Sequence, residues 1–438
     1  MTNLAETLFS TPEMTSIFSD AEHVRAMLAF EAALAEAEAE VGVIPRTAAT
    51  AIAEVARLDN FDVLKLLQES IAAGTLAIPL VRRLTDSIEG QSKNFVHWGA
   101  TSQDVIDTAS VLQMRAGFDV LDRQLMQVAA CCAELAERHR STPMPGRTLL
   151  QQALPITFGL KAARWLGFVT RQVQALRELR PRVLVVQFGG AAGTLASLGQ
   201  YGWPVAERLA DRLGLGVPEL PWHTERDRPA AVASQLGILA GGMAKMATDV
   251  LLMAQSEVGE VAPGSGGSSA MPHKRNPVHA VAAISAARLA IGLVPVVLSA
   301  MVQEHERAAG AWQSEWSSIP DIFRFTVGSL DRVGRVLNEL ELDPQRMQAN
   351  LELSQGLIMA EAVSMALAQR LGRPAAYQLV QTAISRARTT GVSFRQALLE
   401  ADVSADVVDP ALDPTNYLGC TNLFIDRALA EYLGLKTD

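Results

Sequence analysis

The chain has 438 residues, of which 49% are hydrophobic and 19% are charged, and its formal net charge is −9. This length is sufficient for about two to three domains with a large hydrophobic core. The acidic balance argues against nonspecific binding to nucleic acid, which depends on clustered lysine and arginine. The acidic net charge does not exclude an anionic substrate, because a local basic pocket can exist in an acidic protein.

The cysteines and the N-terminal segment indicate the cellular compartment. Cys131, Cys132 and Cys420 are too few and too unevenly spaced for a disulfide framework. The first ten residues, MTNLAETLFS, have no basic stretch followed by an apolar run and are not typical of a signal peptide. We therefore expect a cytoplasmic protein with reduced thiols.

Helical periodicity is the dominant pattern along the chain. A helix is predicted over 20–42, and apolar residues recur at alternating steps of three and four through 111–135 and through 236–253. A further, shorter helix is predicted over 354–372. The pattern is broken at residues 140–148, 214–229, 262–277 and 341–347. The middle of the chain is therefore expected to contain several long helices.

Residues 280–302 are almost wholly apolar, as in a helix that crosses a membrane. Arg288 lies near the middle of this stretch, however, and Pro295 interrupts it. A helix that is apolar on all sides can also be the innermost helix of a large bundle. Because the rest of the chain is rich in charge, we interpret the stretch as a buried helix and expect no membrane segment.

Sequence patterns typical of bound cofactors are absent. Residues 182–199 suggest a strand, a glycine turn and a helix, but Gly189, Gly190 and Gly193 do not have the G-x-G-x-x-G spacing of a dinucleotide site. The histidines and cysteines show no H-x-x-x-H or C-x-x-C spacing, so we expect no metal site. A P-loop and a G-x-S-x-G nucleophile turn are also missing.

Four polar segments lie at breaks in the helical pattern. Thr101, Ser102 and Gln103 directly precede a helix, where such residues either cap the helix or help its N–H groups to bind an anion. Arg147 suits a bidentate pair with a carboxylate, although a solvated loop arginine is the simpler interpretation. The four segments are 97–104, 145–159, 221–228 and 303–316.

The segment GSGGSSAMPHKRNP at 264–277 resembles the G-S-S-x-x-P-x-K-x-N loop of the fumarase/aspartase superfamily. HWGATSQDVIDTA at 97–109 and GGAAGT at 189–194 resemble other active-site regions of that superfamily in the same order, and the likeness covers essentially the whole chain. The resemblance implies an all-α fold and a homotetramer in which central helices form one bundle and three subunits build each active site. The implied helical domains are N-terminal (1–105), central with long helices (106–342) and C-terminal (343–438).

Within the superfamily, the chain resembles the branch of carboxymuconate cycloisomerases, with adenylosuccinate lyases as the alternative. Adenylosuccinate lyases have an R-H-D segment where this chain has residues 76–80, a Thr-His pair where it has Thr148 and Leu149, and an acidic residue where it has Val281. The stretches that carry the cycloisomerase likeness are AGTLAIPLV (73–81), VQFGGAAG (186–193), PWHTERDR (221–228), MPHKRNPV (271–278) and QEHERAAGAWQSEW (303–316).

These differences concern acid–base groups and so bear on the reaction. Lyases of the superfamily remove a proton alpha to a carboxylate and expel a group from the beta carbon. An amine leaving group needs a general acid, whereas a carboxylate is already a stable anion near neutral pH. The leucine at position 149 therefore favours lactonisation of a carboxymuconate over C–N cleavage. A non-catalytic structural relative is a further alternative, and the intact serine loop argues against it.

The resemblance also implies roles for individual residues. Ser268 is expected to carry the proton, and Lys274 to stabilise the serine alkoxide and to hold a substrate carboxylate. A tricarboxylate substrate needs several anion donors, and no metal or other cofactor is expected. The remaining expected substrate contacts are Thr101, Ser102, Gln103, Arg147, Asn276, His97, His223, Arg226 and Arg307.

Overall fold

A computed structural model of the chain describes residues 4–264, 266–267, 271 and 274–436. Among these residues the chain forms 18 α-helices and four short strands, so the all-α prediction is confirmed. The helices are α1 (Leu4–Phe9), α2 (Pro12–Ile17), α3 (Asp20–Val41), α4 (Arg46–Val55), α5 (Val63–Ala73), α6 (Ala77–Asp86), α7 (Ser102–Arg138), α8 (Phe158–Val183), α9 (Gly202–Leu213), α10 (Asp227–Met253), α11 (Val278–Ser299), α12 (Ala311–Asn338), α13 (Pro344–Glu352), α14 (Ala360–Leu371), α15 (Arg373–Thr390), α16 (Phe394–Leu399), α17 (Ala405–Leu412) and α18 (Thr421–Gly434). The strands are β1 (Pro143–Thr148), β2 (Gln151–Thr157), β3 (Val261–Pro263) and β4 (Leu340–Leu342).

The predicted apolar seams lie inside two of the longest helices. α7 has 37 residues, and the members of its seam from Val111 to Leu135 are all buried. α10 has 27 residues and buries its seam from Leu236 to Met253. Burial of one large apolar side chain contributes roughly 1.5–3 kcal/mol, so these two seams are major sources of stability.

α11 carries the almost wholly apolar stretch. Ala287 and Ala290 pack with Ala240 of α10, because side chains this small let two helices approach closely. Leu289 and Leu298 are nevertheless 42% and 44% exposed, so one chain alone does not bury this helix as expected. By length and composition α10 and α11 are each able to cross a membrane, with 44% and 28% of the apolar window buried within the described chain.

The break predicted over 140–148 contains the first strand of a β-hairpin that the sequence did not predict. β1 and β2 pair antiparallel, and Arg147 lies opposite Gln152. Leu149 and Leu150 form the two-residue turn, with φ of 49° and 62° and with 96% and 77% of their surface exposed. Positive φ at both positions is the geometry of a type I′ turn, whose twist matches that of the strands but which usually selects Asn or Gly. Two leucines in this conformation carry backbone strain of roughly 1–2 kcal/mol each.

The region 182–199 does not form a nucleotide-binding strand and helix. After α8 ends at Val183, the chain is extended, and Val185 makes a single parallel bridge with Gly216. Gly190 and Gly193 then adopt positive φ in a turn that no α-helix follows directly. This backbone agrees with the missing G-x-G-x-x-G spacing in the sequence.

The described contacts divide the chain into two compact units. Unit 1 contains the residues up to Gln124 together with 173–244 and 282–332, and unit 2 contains 125–172, 245–281 and the residues from Val333 onwards. Within unit 2 the helices α14 to α17 share an apolar core that includes Val363, Val380 and Phe394. The domain limits after residues 105 and 342 stay predictions.

Candidate active site

Asp104 is the centre of a polar network in unit 1. Its Oδ1 accepts hydrogen bonds from the backbone N–H of Gly189 (3.0 Å) and from Nε2 of His223 (2.7 Å). Its Oδ2 accepts from the backbone N–H groups of Gly190 (2.9 Å) and Thr101 (3.0 Å). The carboxylate is fully buried, so these four donors replace water and fix the glycine turn and the imidazole against the start of α7.

Asp107 forms a second node, one helical turn further along α7. It accepts hydrogen bonds from both terminal nitrogens of Arg226, at 2.7 and 3.1 Å. Nε1 of Trp312 donates to the same carboxylate at 2.9 Å, and Nε2 of Gln103 donates to it at 3.1 Å. The first two turns of α7 are therefore bound to three separate parts of unit 1.

Arg226 is buried between two carboxylates. Its Nε and Nη2 donate to Glu315 at 3.0 and 2.5 Å, while the guanidinium lies 4.8 Å from the ring centroid of Trp222. Burial alone lowers the pKa of Arg226, but Asp107 and Glu315 outweigh it and raise the pKa. Every guanidinium nitrogen is engaged by the protein, so Arg226 holds the segment 221–228 in place, and the geometry argues against the expected substrate contact.

Thr101, Arg307 and the glycine turn lie together at the edge of this network. Nη1 of Arg307 donates to Oγ1 of Thr101 (2.9 Å), and Nη2 donates to the carbonyl oxygen of Ala191 (3.0 Å). A Cβ at Gly189 would lie 2.8 Å from Cε1 of His223, so this position has no room for a side chain. Ser102 is the first residue of α7 and is partly buried.

His97 lies in the loop before α7 and is held by an acidic residue from α3. Its Nδ1 is 2.6 Å from Oε1 of Glu31, whose side chain is fully buried. The His97 backbone has φ of 57°, a left-handed conformation that is uncommon outside glycine. Burial lowers the pKa of His97, but the Glu31 carboxylate, its hydrogen bond and the charge of Asp104 raise it above its ordinary value.

In unit 2, Arg147 makes the bidentate carboxylate pair that its position suggested, but the partner is a protein residue. Its Nη1 and Nη2 donate to Glu260 at 2.9 and 2.6 Å, and Nδ2 of Asn350 donates to the same carboxylate at 2.9 Å. Glu260 is fully buried and directly precedes β3. The hairpin that carries Leu149 is therefore anchored beside the segment that leads into the serine loop.

The serine loop is described only in part, and Ser268 lies outside the described residues. The backbone N–H of Asn276 donates to the carbonyl of Gly266 (2.7 Å), and its Nδ2 donates to that of Gly267 (2.9 Å). Lys274 is exposed, and its backbone N–H donates to Met271 (3.1 Å). Asn276 thus closes the loop by holding its two ends together.

The predicted residues that the structure describes fall into the two compact units. Unit 1 contains His97, Thr101, Ser102, Gln103, His223, Arg226 and Arg307, and unit 2 contains Arg147, Lys274 and Asn276. Nothing among the described residues forms a group of three or more His, Cys, Asp or Glu side chains able to hold a metal ion.

Sequence reasoning missed the buried acidic residues that organise the site. Acidic residues such as Asp104 and Asp107 are common at a helix N-terminus, but here each accepts several hydrogen bonds from distant segments. Glu31, Glu260 and Glu315 received no role at all. For Glu31 a signal existed, because a glutamate lies on the apolar face of the helix predicted over 20–42.

A family model described as lyase matches residues 7–292 of the chain. The chain belongs to this lyase family, which is part of the fumarase/aspartase superfamily. A second model, described as adenylosuccinate lyase C-terminus, matches residues 356–428. The resemblance stated from the sequence is thereby confirmed.

Individual relatives align over nearly the full length of the chain. A 3-carboxy-cis,cis-muconate cycloisomerase of Pseudomonas aeruginosa is 47% identical, covering 99% of this chain and 97% of the relative. One from Bradyrhizobium diazoefficiens is 44% identical, covering 96% of both. The crystal structure of the 3-carboxy-cis,cis-muconate lactonizing enzyme from Pseudomonas putida matches with a TM-score of 0.94 and 43% identity, over 99% of this chain and 100% of that one.

Proposed function

We propose that the chain is an enzyme that cyclises 3-carboxy-cis,cis-muconate to 4-carboxymuconolactone, a step in the breakdown of aromatic compounds through protocatechuate. Relatives that are 44–47% identical and carry the cycloisomerase name support this reaction. The position of Leu149 is the geometric observation that favours lactone formation over C–N cleavage. This leucine occupies the turn of the β1–β2 hairpin, where the adenylosuccinate lyase pattern has a histidine.

The leucine at the hairpin turn bears on the leaving group of the reverse reaction. Its side chain is 96% exposed within one chain and carries no group that can give or take a proton. Expulsion of an amine would need such a group, because an unprotonated amine would have to leave as a strongly basic nitrogen anion. A carboxylate leaves as a stable anion, so the lactone reaction proceeds without a general acid at this position.

The proposed steps balance as follows. An oxygen of one substrate carboxylate forms a bond to the beta carbon, and the electron pair of the double bond moves into a second carboxylate to give an aci-carboxylate. The Ser268 hydroxyl then delivers its proton to the alpha carbon, and a solvent proton restores the serine. The product has two carboxylates where the substrate has three, so one proton is taken up for each turnover.

The number of expected anion donors suits a substrate with three carboxylates. Lys274 and Asn276 lie in the serine loop, and we assign them to one carboxylate together with stabilisation of the serine alkoxide. Thr101, Ser102 and Arg307 lie at or near the N-terminus of α7, whose N–H groups and dipole favour an anion. His97 completes the proposed set. We assign Gln103, Arg147 and His223, which already bond to other protein groups, to holding the site in shape.

The test of the reaction is activity of the purified protein on 3-carboxymuconate beside adenylosuccinate and argininosuccinate. We expect loss of the conjugated-diene absorbance with carboxymuconate, together with uptake of one proton per lactone formed. Turnover of adenylosuccinate without turnover of carboxymuconate would instead support a C–N lyase, which the match over 356–428 makes the second candidate. Inactivity on all three substrates would favour a non-catalytic relative.

The roles of the loop residues have separate tests. For Ser268→Ala we expect kcat to fall by about 10²–10⁴-fold, the range for loss of a positioned proton donor. A fall of less than about tenfold would remove the proton-carrier role from that serine. For Lys274→Met we expect a raised KM and a lowered kcat, and unchanged values of both would contradict the anchoring role.

We also propose that the protein is a cytoplasmic homotetramer whose active sites combine residues from three subunits. The exposed apolar surface of α11, which includes Leu289, Ile291 and Leu298, supports burial against further copies of the chain. Light scattering coupled to gel filtration tests the assembly, with Leu289→Glu as the disruptive variant. A wild-type protein that elutes as a monomer at micromolar concentration would contradict it.

A further inference from the structure

Helix α3 brings two glutamates into the interior of unit 1. Glu31 and Glu38 lie seven residues apart, so they share one face of the helix, and they are 1% and 0% exposed. The surroundings of the two carboxyl groups differ. Glu31 contacts the ring of His97, whereas neither carboxyl oxygen of Glu38 has a hydrogen-bond partner among the described residues. A buried carboxylate without a partner is costly, and His97 is the group that offsets this cost for Glu31.

The Glu31–His97 contact has the geometry of an ion pair. The 2.6 Å separation of Nδ1 and Oε1 is short, as expected when a charged donor meets a charged acceptor. The His97 side chain is 15% exposed, while Glu31 has no exposed surface. Among the residues that the structure describes, the Glu31 bond is the one hydrogen bond of the His97 ring, so the other ring nitrogen is available to a ligand.

A second histidine of unit 1 provides an internal comparison. The Nδ1 of His23 lies 2.7 Å from Oε1 of Gln113, a neutral amide. Burial dominates there and lowers the pKa of His23, although the Gln113 bond, Asp20 and Asp107 oppose it. In His97 the charged partner reverses the direction. The acidic side chain of Glu31 is therefore what makes the pKa of His97 shift upward while that of His23 shifts downward.

The position of His97 connects this pair to the candidate site. His97 precedes Thr101 by four residues in the loop that leads into α7, and Thr101 is bound to both Asp104 and Arg307. The carbonyl oxygen of Gly99, in the same loop, lies 2.9 Å from the place of a Cβ on Gly190, so the loop contacts the glycine turn. The left-handed backbone conformation of His97 is strained, and strained residues of this kind cluster at functional sites.

We propose that Glu31 is a positioning residue that keeps the His97 imidazole oriented and cationic, so that its Nε2–H binds one carboxylate of the substrate. This inference rests on the proposed function, in that it assigns an anion donor to the same site. Glu31 itself touches no substrate and acts through His97. The charged groups that act on the ring are Glu31 from α3 and Asp104 from α7.

The pH dependence follows from the sign of the shift. Because Glu31 and its hydrogen bond raise the pKa of His97 above 6.5, the imidazolium persists to higher pH than in a free histidine. Carboxylate binding by Nε2–H is present below that pKa and is lost as the pH rises through it. Removal of the Glu31 charge moves this loss to lower pH.

The test is Glu31→Gln, which retains an oxygen to accept the Nδ1–H bond but removes the charge. Glu38→Gln is the matched control, since it makes the same substitution on the same helix face without a histidine partner. We expect Glu31→Gln to raise KM by about 10- to 100-fold at pH 7 with a smaller change in kcat, the range for loss of a charged hydrogen bond. Its KM should rise at lower pH than that of the wild type, whereas Glu38→Gln keeps the wild-type KM profile.

Calorimetric titration with tricarballylate, a saturated tricarboxylate, separates this inference from the proposed reaction. Weaker binding by Glu31→Gln than by wild type and Glu38→Gln supports the positioning role even if carboxymuconate is not the substrate. His97→Gln and the double variant should lose the same factor, since the two residues act as one unit. Three results would each overturn the inference: equal affinities in wild type and Glu31→Gln, additive losses in the double variant, or no binding by the wild type. None of them decides whether the protein has cycloisomerase activity, which the substrate assay tests separately.

Discussion

Substitution of Glu38 by glutamine should stabilise the protein in a way that grows with pH. Burial, with a further contribution from Glu31, raises the pKa of Glu38 from 4.5 to about 9. In the unfolded chain this carboxyl ionises near pH 4.5, but in the folded protein it keeps its proton. Folding must therefore return a proton to Glu38 at every pH between these two values, which lowers the free energy of unfolding as pH rises.

The magnitude follows from the size of the shift. Below pH 4.5 both states hold the proton and the effect vanishes. Above it, each pH unit costs about 1.4 kcal/mol, so at pH 7.5 the wild type has lost about 4 kcal/mol that the glutamine variant keeps. With an unfolding entropy of about 2 cal/mol/K per residue, this corresponds to roughly 5 °C in Tm for a chain of this length.

Differential scanning fluorimetry of wild type and Glu38→Gln at a fixed scan rate and protein concentration, from pH 5 to pH 8.5, measures the effect. The amide has its own cost of burial, but that cost does not depend on pH and cancels when the two ends of the series are compared. Glu36→Gln, at a partly exposed position of the same helix that pairs with Arg212, is the control. A Tm difference between wild type and Glu38→Gln that stays constant over the pH range would refute the assignment of a neutral buried carboxyl.

Two further predictions concern the buried carboxylates of Asp104 and Glu260. Asp104→Asn places an amide N–H₂ against four donors and should lower the free energy of unfolding by about 2–4 kcal/mol, whereas Asp119→Asn, at an exposed position of the same helix, should cost less than about 1 kcal/mol. Urea unfolding near pH 7 distinguishes the two, and equal costs would show that the Asp104 network adds no stability. Glu260→Gln leaves the charge of Arg147 without its partner and should cost about 3 kcal/mol. The exposed Glu134→Gln should cost at most about 0.5 kcal/mol in the same measurement, and a similar loss in both variants would count against a structural role for Glu260.

The long helices were predictable because their signal is local. The seam from Val111 to Leu135 repeats at the helical period over seven turns, and no tertiary information is needed to recognise it. The hairpin over 143–157 was not predictable in this way. Its turn consists of Leu149 and Leu150 in place of Asn-Gly, and strand pairing together with the anchoring of Arg147 by Glu260 overrides that local preference.

The candidate site divides in the same manner. Thr101, His223 and Arg307 were recognisable as polar residues at helix breaks, and the structure gathers them with the glycine turn in unit 1. The partners that hold them were not recognisable. Asp107 lies 119 residues from Arg226 and 205 residues from Trp312 along the chain, and nothing in a local pattern shows that such residues meet.

The sequence by itself determined the helical architecture, the superfamily and the identity of the loop at 264–277, because periodicity and motif spacing are properties of neighbouring residues. Only the tertiary structure decided which charges are neutralised inside the protein and which remain for a ligand. Arg226 changed from an expected substrate contact to a buried cation between Asp107 and Glu315. Glu31, on an apolar helix face, became the partner of His97. The physical reason is that the charge state and the partner of an ionisable group depend on burial and on distances between residues far apart in the chain, which folding alone sets.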